Sequence, residues 1–418
     1  MIKAVLFDLD DTLLRLNSGF LRTYMMGIGG LLGELAQRHP TKEEVQGGMR
    51  GAVAMMIANN DPTRFNREVF GTKLAESFGV DAAALQRAFD TFHHNGYQAT
   101  RTAITPIPGA AELVDRLLAA GISLTVATNP FFPLDQVRMR MGWGGINPDL
   151  PFAWITNMDE CHFTKPSPYY YEEILARVGV EPDEAIMVGD SYENDILPAT
   201  QVGMYTYWID DPAQTPLPPE PGSGAVVLPK ITPHGQGTLA EFAALWEGGW
   251  FKALAQTPLP RLMPTQVAPC MVGNTGALFG IIDTALPEHW QKRPLATEWT
   301  PLEIICHLRD SERDVQRPRL ERIAREDNPF IEPSPTPPAP GEMDVRGATA
   351  ESAAAAFWAE RQKTLTFLAE LSPEQWGRLA RHSVLGRTTL LEMAIFTTRH
   401  DRLHITQLCQ TLGRCREE

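Results

Sequence analysis

Apolar positions along this chain follow two grammars. Up to about residue 250, short apolar runs alternate with amphipathic stretches, whereas beyond about residue 265 only the longer amphipathic pattern continues. A short apolar run bounded by polar residues predicts a buried strand, and apolar residues recurring every three to four positions predict a helix. The strand candidates are Val5-Leu6-Phe7, 122–127, 153–156, 185–188 and 204–209. Between them, 110–120 carries Leu113, Leu117 and Leu118 on one side and stops at Gly121. Further helices are predicted at 131–141 and at 169–178, the latter stopped by Gly179. Strands and helices alternating in this way predict an α/β fold with a doubly wound parallel sheet.

Residues 18 to about 101 break the alternation. Leu21, Met25 and Ile28 begin one helical face, and Leu74 with Phe78, then Leu85, Phe89 and Phe92, mark others, with Asp81 as an N-cap. A helical block between the first two core strands predicts an inserted cap at 17–102 on a core made of 1–16 and 103–250. His93, His94 and Asn95 are its candidate substrate contacts; the alternative is a solvated helix end. Residues 211–235 are rich in proline and glycine, with Val226-Val227-Leu228 a candidate edge strand and 239–246 the last helix of this half. A linker, 251–264, leads to 265–418, which reads as helix at about 270–286, 301–325, 349–370 and 388–412, with a proline-rich joint at 328–341. Four long helices without strands predict a C-terminal all-α four-helix bundle.

At 418 residues the chain exceeds one ordinary core, so two or three domains are expected. A net charge of −14 argues against the nucleic-acid backbone as a partner. No apolar run reaches the roughly 18 residues of a membrane span, and Asp8 interrupts the start before a signal segment develops. Five cysteines, odd in number and without C-x-x-C spacing, predict reduced thiols in a cytoplasmic protein.

The first candidate chemistry lies at the end of the first strand, where Asp8 and Asp10 follow Val5-Leu6-Phe7. Residues i and i+2 of an extended segment point to one side, and open α/β sheets bind ligands at the carboxyl ends of their strands. Two acids there can address one substrate, one as nucleophile and the other as acid/base. Later stretches fall in order: Thr128 after the 122–127 strand, Lys165 in Phe163-Thr164-Lys165-Pro166, and Asp190 with Asp195 after the 185–188 strand. Over about residues 1–250 this ordered set resembles the haloacid dehalogenase (HAD) superfamily of hydrolases. The resemblance implies Asp8 as a nucleophile forming an aspartyl-phosphate and Asp10 as general acid/base. It implies Thr128 as the hydroxyl holding a phosphoryl oxygen, and Lys165 as the neutralising cation. Asp8, Asp10, Asp190 and Asp195 would hold Mg²⁺. Caps of this superfamily close over the site, which implies a small phosphorylated substrate. Asp10 favours phosphatase chemistry over the dehalogenase branch, which uses no acid at that position; phosphomutase and dehalogenase are the alternatives.

The second candidate chemistry opens the bundle's second helix. Thr300 suits an N-cap, Pro301 the first helical position and Glu303 a capping box. His307 follows in that helix, and His400 and His404 stand at i and i+4 on one face of the last. Three imidazoles from two facing helices can bind a transition metal and leave coordination positions open. Trp299, Thr300, Glu303, His307, Glu312, His400 and His404 together resemble the DinB-like family of four-helix-bundle metalloenzymes, over about 265–415. Imidazole donors, softer than carboxylate oxygens, favour Zn²⁺, Ni²⁺ or Fe²⁺ over Mg²⁺ at the histidines, and the resemblance to members related to thiol-dependent S-transferases implies a low-molecular-weight thiol as partner. Cys306 points about 100° away from His307 around the helix, toward the core. The alternative is a non-catalytic bundle serving as a metal sensor or as a homodimer contact.

Overall fold

A computed structural model describes residues 1–210, 230–257 and 262–417. The chain divides into two compact units, Met1–Tyr171 with Val180–Leu259, and Glu172–Gly179 with Pro260–Glu418.

In the first unit, strands β1 (Ala4–Phe7), β2 (Leu14–Leu16), β3 (Ile104–Pro106), β4 (Ser123–Val126), β5 (Trp154–Ile155), β6 (Ala185–Gly189), β7 (Tyr205–Ile209) and β8 (Gly235–Gly237) succeed one another. Six of them form a parallel sheet in the order β5-β4-β1-β6-β7-β8. All residues of β1 and β6 are buried. That burial on both faces is why the two strands read as uninterrupted apolar runs rather than as alternations. The chain passes from β1 to β4 and β5 on one side, then returns to β6 on the other, so the order reverses beside β1. The carboxyl end of β1, where Asp8 lies, is therefore the topological switch point.

The helical block contains helices Gly19–Ala36, Lys42–Ile57, Asn66–Phe78 and Ala82–Asn95, then a 3₁₀ segment, Tyr97–Ala103. Asp81 caps its helix by accepting the Ala84 N–H at 2.8 Å. Antiparallel β2 and β3, with Leu16 opposite Ile104, bracket the block at both ends. These three-residue strands are too short for periodicity to reveal. His93 is buried while His94 and Asn95 are exposed. Among the described residues the main sheet is edged by β5 and by β8, whose glycines carry no strand signal; the candidate edge strand 226–228 lies outside the described residues. The expected linker begins instead with a helix, Trp250–Leu254, whose Phe251 and Leu254 join the first unit's core.

The second unit holds helices Val267–Thr284, Pro301–Ser311, Arg317–Arg325, Ala350–Ala369 and Leu390–Glu417. The second and third of these are joined by a π-helical turn, Glu312–Gln316. Pro318 lacks the N–H that a regular helix would direct at the carbonyl of residue 314, and a widened turn directly upstream accommodates it. Ile304, Ile305, Cys306, Leu308, Phe357, Ile405 and Leu408 form the apolar interior. The expectation of helices without strands is corrected by a three-stranded sheet. In it β9 (Phe330–Ile331) runs parallel to β10 (Leu379–His382), and β10 pairs antiparallel with β11 (Gly386–Thr389). A two-residue strand inside a proline-rich joint and a hairpin rich in Arg and Thr leave no apolar run to detect. Among the described residues, no helix is long and apolar enough to cross a membrane.

Candidate functional sites

The first site is anchored by the backbone of β1. Asp8 donates its N–H to the Val188 carbonyl at 2.9 Å, which fixes the carboxylate where β1 and β6 end. Lys165 Nζ lies 2.6 Å from Asp8 Oδ1 and 2.6 Å from Asp195 Oδ1, and all three side chains are buried. Asp195 Oδ2 also accepts the Ser191 N–H at 3.0 Å. A Cβ on Gly189 would stand 2.3 Å from that oxygen, so only glycine fits at the end of β6. Thr128 is buried beyond β4, and its carbonyl accepts the hydroxyls of Thr156 and Tyr170, each at 2.7 Å.

Ligand oxygens of Asp8, Asp190 and Asp195 lie within 4.8 Å of one another. Burial raises Asp8 well above the usual carboxylate range, with Lys165 opposing and Asp195 and Asp190 adding. Burial likewise lifts Asp190 to about 7, with Asp195 adding to it. For Lys165, burial works to lower the ammonium, but Asp195 and Asp8 outweigh it and raise the group. Three clustered carboxylates facing a single ammonium leave an excess of buried negative charge, and a hard divalent cation bound by oxygens relieves such an excess.

Asp10 stands outside this cluster. Its Oδ2 pairs with Nη1 of Arg140, a fully buried residue of helix Leu134–Trp143. Of the carboxylates expected around the metal, the structure gathers Asp8, Asp190 and Asp195, whereas the Asp10 side chain turns to a cation that sequence reasoning did not single out. The available signal was positional. Arg140 falls on the stripe of Gln136, Val137 and Met141, which are buried on one face of their helix.

The second site is built on two helix faces. Ligand nitrogens of His307, His400 and His404 lie within 4.8 Å of one another, with the Nε2 atoms of His307 and His400 3.4 Å apart. Gln407 Oε1 lies 2.8 Å from His404 Nδ1. An amide oxygen only accepts, so the proton sits on Nδ1 and the Nε2 lone pair is free. Burial, reinforced by the neighbouring imidazoles, lowers His307 to about 3 and His404 to about 4. Both rings are thus neutral near pH 7, the form that ligates a metal. Trp299 lies against the cluster, 4.7 Å from His307 and 5.9 Å from His404 between ring centroids.

Glu312 connects to this cluster through Arg361 and Asp401. It accepts from Arg361 Nε and Nη2 at 3.0 and 2.8 Å and also from the Thr364 hydroxyl. Arg361 Nη2 reaches Asp401 at 2.8 Å, and Asp401 Oδ1 lies 3.8 Å from His400 Nδ1. Arg361 and Asp401 were not singled out in the sequence, because arginine in a helix ordinarily signals a solvated face. Cys306 is fully buried in the core.

Residues 2–203 match the haloacid dehalogenase-like hydrolases, and residues 274–408 match the DinB superfamily. The chain thus joins a HAD-like hydrolase domain to a DinB-superfamily domain. A glyceraldehyde 3-phosphate phosphatase of Methanothermobacter thermautotrophicus is 28% identical over 208 residues, 49% of this chain and 84% of that protein. The pyrophosphatase PpaX of Bacillus velezensis is 26% identical over 222 residues, 51% of this chain and 87% of its own. Among solved structures, a HAD phosphatase from Thermococcus onnurineus matches 59% of this chain and 99% of its own, at 22% identity and a TM-score of 0.39.

Proposed function

We propose that the first unit is a Mg²⁺-dependent phosphohydrolase of small phosphorylated metabolites. The observation that carries this reading is Lys165 bridging Asp8 and Asp195, with Asp190 in reach, at the switch point of the sheet. The phosphatase names of the relatives support it. Asp8 attacks phosphorus, Asp10 protonates the departing oxygen, and an aspartyl-phosphate is then hydrolysed by water. Lys165 offsets the charge gathered between carboxylate and phosphate, and Thr128 holds a phosphoryl oxygen. Bound at Asp8, Asp190 and Asp195, Mg²⁺ would supply charge neutralisation. The partition into core (1–16 and 103–250) and cap (17–102) belongs to this reading, as does a cytoplasmic setting. A panel of phosphate esters assayed with Mg²⁺ and with chelator tests it. Wild type should turn over at least one ester only with metal, and Asp8→Asn should remain folded and lose about 10⁴-fold or more. Full activity in that variant would overturn the assignment.

For the second unit we infer a transition-metal site at His307, His400 and His404 for Zn²⁺, Ni²⁺ or Fe²⁺, because imidazole suits these ions better than it suits Mg²⁺. Its open positions suit a low-molecular-weight thiol. Elemental analysis of the whole protein should find the metal in wild type and lose it in His400→Ala and His404→Ala. Equal content in all three would make the bundle an interaction or homodimer module instead.

A further inference from the structure

Around Asp10 the first unit carries more hydrogen-bonding capacity than it uses. Arg140 donates to Asp10 Oδ2 through Nη1 alone. Its Nε and Nη2, Asp10 Oδ1 and the Tyr97 hydroxyl are all buried, and none has a hydrogen-bond partner among the described residues. The guanidinium carbon lies 4.7 Å from the Phe132 ring centroid and 6.0 Å from that of Phe20. Phe20 meets Tyr97 edge-on at 6.1 Å and Phe132 at 5.9 Å, and Tyr97 stacks on Trp143 at 5.7 Å. Phe20 and Tyr97 belong to the block between β2 and β3, whereas Phe132, Arg140 and Trp143 belong to the core. Keeping a charge buried with idle donors costs stability, and its retention calls for an account of what the group orients.

We propose that Arg140 is a positioning residue for proton transfer, gripping Asp10 by Oδ2 so that Oδ1 alone faces the reaction, with an aromatic cage completed by Phe20 and Tyr97 holding the guanidinium in place. This rests on the phosphohydrolase reading. In the first step an Asp8 oxygen bonds to phosphorus. The phosphorus–oxygen ester bond breaks with its electron pair going to the leaving oxygen, which takes the proton from Asp10 Oδ1. In the second, water attacks phosphorus and gives a proton to Asp10 Oδ1. The phosphorus–Asp8 bond breaks with its pair returning to Asp8, and inorganic phosphate departs. A planar guanidinium fixes one oxygen in direction as well as distance, which an ammonium cannot do.

The test separates leaving groups. Nitrophenolate departs without a proton, whereas an alkoxide needs one, and kcat/KM reports the first step alone when that step is irreversible. Arg140→Gln should lower kcat/KM for glycerol 3-phosphate by about 10²–10³-fold, within the range of general acid catalysis, and for p-nitrophenyl phosphate by less than about tenfold. Arg140→Lys should show the same selectivity in its loss. Asp10→Asn should show it too, and adding Arg140→Gln to Asp10→Asn should cost nothing further. Equal losses on both esters, full rescue by lysine, or additive losses in the double variant would overturn the proposal while leaving the phosphohydrolase reading intact. An inactive wild type would overturn both. If Arg140→Gln fails to fold, Arg140→Met, which keeps the stem against Phe132, carries the same comparison.

Discussion

The two polar clusters of this chain solve opposite electrostatic problems. Around Asp8 the unit gathers like charges, three carboxylates with one ammonium among them, so that burial pushes Asp8 and Asp190 upward. Around His307 the second unit gathers three imidazoles, of which burial keeps His307 and His404 neutral, and places the charge one layer behind, in the ion pairs of Glu312, Arg361 and Asp401. The first arrangement is suited to a hard cation and an anionic substrate, and the second to a softer metal. Their construction differs as well. Asp8 and Asp190 follow the ends of neighbouring strands and Asp195 sits in the helical turn after β6, a meeting that depends on the sheet, whereas two of the histidines share one helix.

That contrast can be broken most severely at Arg361. Arg361→Met leaves Glu312 and Asp401 buried without their cation, and unfolding measurements should show a loss of about 3–5 kcal/mol. A neutral result would mean that the charges behind the histidines are not coupled to folding. At the other cluster, Lys165→Met should lower kcat on any accepted phosphate ester by about 10²–10³-fold, the cost of removing one stabilising donor from a transition state. Retained kcat would show that the ammonium only balances charge in the resting protein.

A third comparison concerns a buried histidine that belongs to neither cluster. Burial lowers His93 to about 4, below its ordinary 6.5, and its Nε2 meets the Tyr24 hydroxyl at 3.2 Å. The unfolded chain takes up this proton before the folded one does. Stability from the neutral ring is therefore full above pH 6.5 and is lost as pH falls from 6.5 toward 4, by up to about 3 kcal/mol. Denaturant unfolding at pH 7 and pH 4.5 should give a smaller difference in His93→Phe than in wild type. An unchanged difference would place the acid sensitivity elsewhere. The smallest effect is expected at Gln407. Losing the acceptor for His404 Nδ1 in Gln407→Leu should weaken metal binding about 10–100-fold, read as a shift in metal titration midpoint.

Much of this was legible because chemistry and periodicity coincided. Asp8 ends an apolar run, Asp190 and Asp195 follow another, and His400 with His404 are spaced for one helix face. What escaped was held by long-range packing. Arg140 reaches Asp10 across 130 positions, and Arg361 reaches Glu312 across 49. Their burial contradicts what an isolated arginine suggests. β9 and β11 escaped for a related reason, since a strand of only two residues, or one of four with no apolar side chain, is defined by its partner rather than by its own pattern.

The short β2–β3 ladder has a consequence for how such a protein changes over time. Leu16 and Ile104 are paired neighbours although the whole helical block is spliced between them. Entry and exit of that block thus share one doorway, and the sheet that carries Asp8 does not pass through it. The block behaves as a cassette: its length and lining can be rewritten by insertion, deletion or exchange without moving a strand of the main sheet. Under the phosphohydrolase reading proposed above, selection could then revise the block while the carboxylates of the main sheet are inherited unchanged.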